Sequence, residues 1–89
     1  ESEVESLELL RPLKSLEKLW LPQNRVSDLE PLRDLSKLKS LYLMDNPIKL
    51  LEPLHGLKSL ELLDVRKTEV NKSEVEKFKA AVPDCEVRH

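Results

Sequence analysis

Apolar residues return at fixed offsets through three consecutive segments of 22 residues, 7–28, 29–50 and 51–72. Leu7, Leu29 and Leu51 open the segments. Four columns follow: Leu10/Leu32/Leu54, Leu13/Leu35/Leu57, Leu16/Leu38/Leu60 and Leu19/Leu41/Leu63. Leu21, Leu43 and Val65 form the next column, and Val26, Ile48 and Val70 the last. The spacing is three residues until it changes to two, at "LEKLWL", "LKSLYL" and "LELLDV". Leucines at every third position invite a helical reading. On a helix of about 3.6 residues per turn, however, each such step drifts by about 60°, so Leu7 to Leu19 would wind around the axis instead of forming a stripe. Pro12, Pro22, Pro31, Pro47 and Pro53 would also break it. The period of two predicts a short strand in each segment, and the period of three predicts tight 3₁₀-type turns before it.

With the asparagines of "PQNRV" and "MDNPI", these segments resemble the leucine-rich repeat, L-x-x-L-x-L-x-x-N-x-I. The 22-residue length and the "LEPL" turns are most similar to the repeats of bacterial internalins and of a regulatory subunit of protein phosphatase 1. The resemblance covers residues 7–72. It implies an α/β solenoid with short parallel strands on the concave face, 3₁₀ and turn segments on the convex face, and coils that bury their leucines against one another. It also implies that Asn24 and Asn46 bond to backbone groups in a buried ladder. The ladder should weaken at Thr68, where a hydroxyl with one donor replaces an amide with two.

The two ends differ. Ser73 and Glu76 have the spacing of a capping box, and Val75, Phe78 and Val82 give the following helix one apolar face that Pro83 terminates. Cys85 and Val87 then alternate as a short last strand. Residues 73–89 resemble the C-terminal cap of bacterial leucine-rich repeat proteins. At the other end, counting 22 residues back from Val26 reaches Val4, and from Asn24 reaches Ser2. Residues 1–6 therefore read as the tail of a preceding repeat in a longer chain, or as a small acidic segment folded back as a cap. An uncovered first coil would invite self-association or docking.

Composition narrows the function. Eighty-nine residues with 20 leucines allow one repetitive domain, and 15 basic against 17 acidic residues leave no basic block for nucleic acid or an anionic membrane. No apolar run is long enough for membrane insertion, and "ESEVES" is not a signal peptide, so a cytoplasmic and a secreted location both stay open. Cys85 alone forms no internal disulfide and suits a small core residue. His55 falls on the turn side and His89 at the last position, with no metal-ligand spacing. The single glycine, Gly56, makes no phosphate loop, and no cofactor is expected. These features argue against an enzyme.

The alternation that turns the leucines inward turns three other columns onto the open strand face: Lys18, Ser40 and Leu62; Trp20, Tyr42 and Asp64; Pro22, Met44 and Arg66. Gln23, Asp45 and Lys67 fall at the strand edge. Two of the three aromatic residues share one column on adjacent strands. Such a pair would stabilise neighbouring strands by roughly 0.2–1 kcal/mol. It would also centre an apolar patch of Trp20, Tyr42, Met44, Leu62 and Pro22 with Lys18, Asp64 and Arg66 at the rim, the anatomy of a protein interface. The resulting expectation is a module that binds a partner protein or peptide on the concave face. The alternative is a structural segment that docks onto an upstream domain through its first coil.

Overall fold

The computed structural model describes residues 4–89. Each 22-residue segment forms one turn of a coil. A 3₁₀ turn (Glu8–Leu10, Glu30–Leu32, Glu52–Leu54) leads to a strand: β1 (Lys18–Trp20), β2 (Ser40–Tyr42) and β3 (Leu62–Asp64). Helix α1 (Lys72–Ala81) and strand β4 (Glu86–Arg88) close the chain. The four strands make one parallel sheet in the order β1-β2-β3-β4, with Leu19 opposite Leu41, Leu41 opposite Leu63 and Leu63 opposite Val87.

The period of three has a direct physical origin. In the second coil the amide of Leu32 donates to the carbonyl of Leu29, that of Leu35 to Leu32 and that of Leu38 to Leu35, over 2.9–3.1 Å. The same relay runs from Leu7 to Leu16 and from Leu51 to Leu60. Bonds three residues apart stack the side chains of bonded residues on one side. The leucines that share backbone bonds therefore also share the core. Pro31 and Pro53 lie in the first turn of their 3₁₀ segments, where a fixed φ helps and a missing N–H costs nothing.

Leu29, Leu32, Leu35, Leu38, Leu41, Leu43 and Ile48 of the second coil are buried, as are Leu51 to Leu63 in the same columns of the third. The first coil is buried only in part. Leu7 and Val26 are covered, Leu10, Leu16, Leu19 and Leu21 are half-buried, and Leu13 is 47% exposed. Val4 donates its amide to Asn24 Oδ1 at 2.9 Å, just as Val26 donates to Asn46 Oδ1 at 3.0 Å. Ser2 and the other residues before Val4 lie outside the described residues.

Helix α1 covers the far end, and it starts earlier than the Ser73/Glu76 box would place it. Asn71 is the N-cap, extended at φ −90° and ψ 172°, and its side chain accepts the amide of Glu74 at 2.9 Å. Ser73 and Glu76 are exposed on the first turns and form no box. Asn71 at the cap places Val70 and Val75 at the flanking positions of a hydrophobic staple, whereas a cap at Ser73 would not. Glu74 turns away from the cap and accepts the amide of Leu51 at 3.0 Å, joining the helix to the start of the third coil. At its other end Lys58 donates to the carbonyl of Ala81, and Phe78, Val75 and Val82 are buried between. Val87 is half-buried and Cys85 buried, its thiol pushed up to about 11 by burial and by the charge of Glu86. A thiol so placed is a packing residue with little thiolate at neutral pH.

Candidate functional site

The strand face ends in a row of sharp turns. Gln23, Asp45 and Lys67 have φ of 59°, 61° and 59°, the left-handed region that costs a side-chain-bearing residue roughly 1 kcal/mol or more. The bend is held by the residue that follows. Asn46 donates to the carbonyls of Leu21, Leu43 and Met44 at 2.8, 3.1 and 3.2 Å and accepts from Val26, so it braces its own turn and the coil before. Asn24 donates to Pro22 and accepts from Val4. Asn46 is buried and Asn24 half-buried. Thr68 donates to Val65 at 2.6 Å and accepts from Val70 at 3.4 Å, both within its own coil. Parallel bonds continue beyond the strands, from Gln23 to Met44 and from Asp45 to Arg66, so the turns themselves are ladder residues.

On this frame Trp20 is 58% exposed at the edge of the sheet. Its ring centroid lies 4.9 Å from that of Tyr42, tilted by 51°, and Lys18 Nζ sits 5.7 Å from the Tyr42 ring. Both contacts run from β1 to Tyr42, within the ranges at which ring–ring and cation–π attraction operate. A groove of about 430 Å³ is lined by Trp20, Pro22, Met44 and Arg66 from the strand columns, its inner wall, and by the left-handed residues Gln23, Asp45 and Lys67 from the row of turns that follows in sequence, its outer wall. Met44 and Pro22 are half-buried. Leu62, also half-buried, and Lys18 stand two register positions before Trp20's column, on the same face but outside the groove.

Asp64 departs from the expected exposed rim. It shares the column of Trp20 and Tyr42, yet its side chain is only 1% exposed. Arg66 folds back over it, with Nε 3.0 Å from Oδ1 and Nη2 2.7 Å from Oδ2, and the Arg66 amide donates to Oδ1 at 3.2 Å. Burial pushes the Asp64 carboxyl up, but the side-chain and backbone hydrogen bonds of Arg66 and the charges of Arg66 and Arg88 together hold it below the ordinary value. Alternation predicts the side of the sheet on which a residue lies but not what covers it there. Here β4 supplies Arg88 opposite Asp64, and the two-residue spacing to Arg66 supplies a bidentate lid. Asp64 is therefore covered, and it holds in place Arg66, whose side chain is 55% exposed.

The groove's outer wall was available in the sequence as the residue before each turn asparagine or threonine, a position that must take positive φ. Arg88 had no such signal, because its place depends on how α1 returns the chain to the sheet. Among the described residues no cluster of His, Cys, Asp and Glu could hold a metal ion, and no helix is long and apolar enough to cross a membrane. His55 is half-buried on the turn side, 6.2 Å from the Phe78 ring.

Residues 14–54 match the family described as Leucine Rich repeats (2 copies). Among solved structures, internalin C2 of Listeria monocytogenes is similar with a TM-score of 0.87 at 28% identity, over 96% of this chain and 37% of that one. The LRR protein LIC12759 of Leptospira interrogans is similar with a TM-score of 0.85 at 28% identity, over 96% of this chain and 22% of that one. An internalin (InlF) of Listeria monocytogenes reaches 0.88 at 24% identity, over 97% and 25%, a likeness of fold alone. The chain thus spans well under half the length of each of these structures. No curated protein sequence matches it significantly.

Proposed function

We propose that this leucine-rich repeat solenoid with internalin-like repeats is a protein-interaction module that binds a partner protein or peptide on its strand face. Leucine-rich repeats serve as protein-interaction modules, which supports the class of function. The observation that carries the choice of face is Trp20, more than half exposed and packed against Tyr42. A large apolar ring kept in water at the edge of a preformed surface loses little entropy on binding and gains its full burial. Met44, Pro22 and Leu62 extend the apolar centre. Lys18 and Arg66 are the charged rim, with Asp64 acting through Arg66. Nothing in this arrangement pairs a nucleophile with a base, so the reading is of binding and not of catalysis.

The test is capture of a partner from lysate by the wild-type chain and by a Trp20→Ala/Tyr42→Ala double variant, with affinity then measured for the captured protein. Loss of at least tenfold, about 1.4 kcal/mol, in the double variant is expected for a central aromatic anchor. A partner held equally by both would move the site elsewhere.

A second reading rests on Leu9 and Leu13, exposed by 89% and 47% on the first coil. That coil could dock onto another domain or a second copy. Hydrogen exchange separates the two: protection concentrated on residues 18–23, 40–45 and 62–67 favours the strand face, and protection on residues 7–16 favours docking. Ultracentrifugation over a range of concentrations tests self-association directly, since a monomer at every concentration removes the second copy as occupant.

A further inference from the structure

We infer that the groove beside Trp20 takes an extended peptide of polyproline II form in which a large apolar side chain and a carboxylate are three residues apart. This rests on the strand face being the binding surface and states what chemistry that surface selects. The groove has a polarity along the sheet. Over the first two coils its inner wall is Trp20, Pro22 and Met44, and over the third it is Arg66. Two of the five N–H donors of Arg66 are spent on Asp64, and the rest have no partner among the described residues. Because the Asp64 carboxylate is buried and grips the guanidinium at two points, Arg66 presents those remaining donors in one orientation. Lys67 stands beside it on the outer wall, exposed and without an ion pair among the described residues.

Distance sets the spacing. From the first coil to the third is two strand separations, about 9.6 Å, which a polyproline II chain covers in about three residues, one full turn, so that both side chains face the groove. A peptide lying across the strands would seat its apolar side chain against Trp20 and Met44 and bring a carboxylate to Arg66 and Lys67. Asp45, between them on the outer wall, is one exposed acceptor for a backbone or side-chain donor of the same peptide. With Asp64 and Asp45 offsetting Arg66 and Lys67, selection comes from directed hydrogen bonds more than from net field.

A random dodecapeptide library displayed on phage would be panned against the chain and against the Trp20→Ala/Tyr42→Ala variant. Enriched peptides would then be synthesised with each carboxylate as acid and as amide, and titrated by the fluorescence of Trp20, the sole tryptophan. The expected result is enrichment of a large apolar residue and Asp or Glu at three-residue spacing. The amide form should bind about tenfold more weakly or worse, as for loss of a charge-assisted hydrogen bond. Arg66→Gln should bind acid and amide forms alike. Because the acid/amide comparison uses the unaltered protein, it stands even if Arg66→Gln disturbs the fold. If acid and amide peptides bind equally but need Trp20 and Tyr42, the carboxylate class is overturned and the strand face stands. Enrichment that survives in the double variant, or none at all, overturns both.

Discussion

The first and second coils carry leucine in nearly the same columns, and they use it differently. Leu35 is fully buried and Leu13, its counterpart, is 47% exposed. Pro31 and Pro53 are buried where Leu9 of the first coil is almost wholly in water. The difference lies in the neighbours: the second coil has a coil on each side, whereas among the described residues the first meets only the short segment that begins at Val4 on its outer side. In a solenoid a residue's contribution is a nearest-neighbour quantity, so identical letters carry unequal energies. The strand face has the same gradient. Its central column runs from Trp20, exposed, through Tyr42, half-buried, to Asp64, buried beneath Arg66. Coverage grows toward the cap, and the groove lies where the covered and uncovered regions meet.

The sharpest way to break this comparison is to delete the same methyl groups in both coils. Leu35→Ala should cost about 2–5 kcal/mol in urea unfolding, the range for a cavity in a packed core. Leu13→Ala should cost about 1 kcal/mol or less, because half of the side chain is already hydrated. Equal costs would mean that the first coil is as well packed as the second. The turn residues give the next largest contrast. Asn46→Ala leaves the Val26 amide and the Leu21 carbonyl without the partner that bridged the coils, an expected loss of about 2–4 kcal/mol. Asn24→Ala and Thr68→Ala, with fewer bonds and more water, should each cost about 1 kcal/mol. If Thr68→Ala cost as much as Asn46→Ala, stability would not follow the number of bonds made across coils.

The repeat was legible because one column of side chains and one relay of backbone bonds are the same residues. Leu29, Leu32, Leu35 and Leu38 announce the 3₁₀ turns by their spacing, and the change to two at Leu41 and Leu43 announces the strand. The leucine-rich repeat and its internalin-like form followed from those letters. Three features depended on contacts that spacing does not encode. The cap had two overlapping frames, Asn71–Glu74 and Ser73–Glu76, and the Asn71 side chain takes the amide of Glu74. Asp64 reads as a surface carboxylate until Arg66 is seen folded over it. The groove's outer wall needed the backbone conformation of Gln23, Asp45 and Lys67, although their place before the turn residue was visible.

Asp64 gives the smallest effect, and it tests the covered end of the gradient. Its folded carboxyl is held below the ordinary value, so it contributes stability above the unfolded value of about 3.9 and loses it as pH falls through the folded one. Unfolding followed by denaturant between pH 7 and pH 2 should therefore show a decline beginning below about pH 5, to which Asp64 contributes. Arg66 is more than half exposed, so solvent screening limits this contribution to about 1 kcal/mol. Asp64→Asn should remove that part of the pH dependence and lower stability at pH 7 while leaving the pH 2 value nearly unchanged. It should also release Arg66 from its fixed orientation, so acidic peptides should bind the variant more weakly even though no residue of the groove wall has changed. A variant with the wild-type pH profile would show that the carboxylate is no better stabilised by Arg66 and Arg88 than by water. The column would then end at Tyr42, and Arg66 would be an ordinary surface cation.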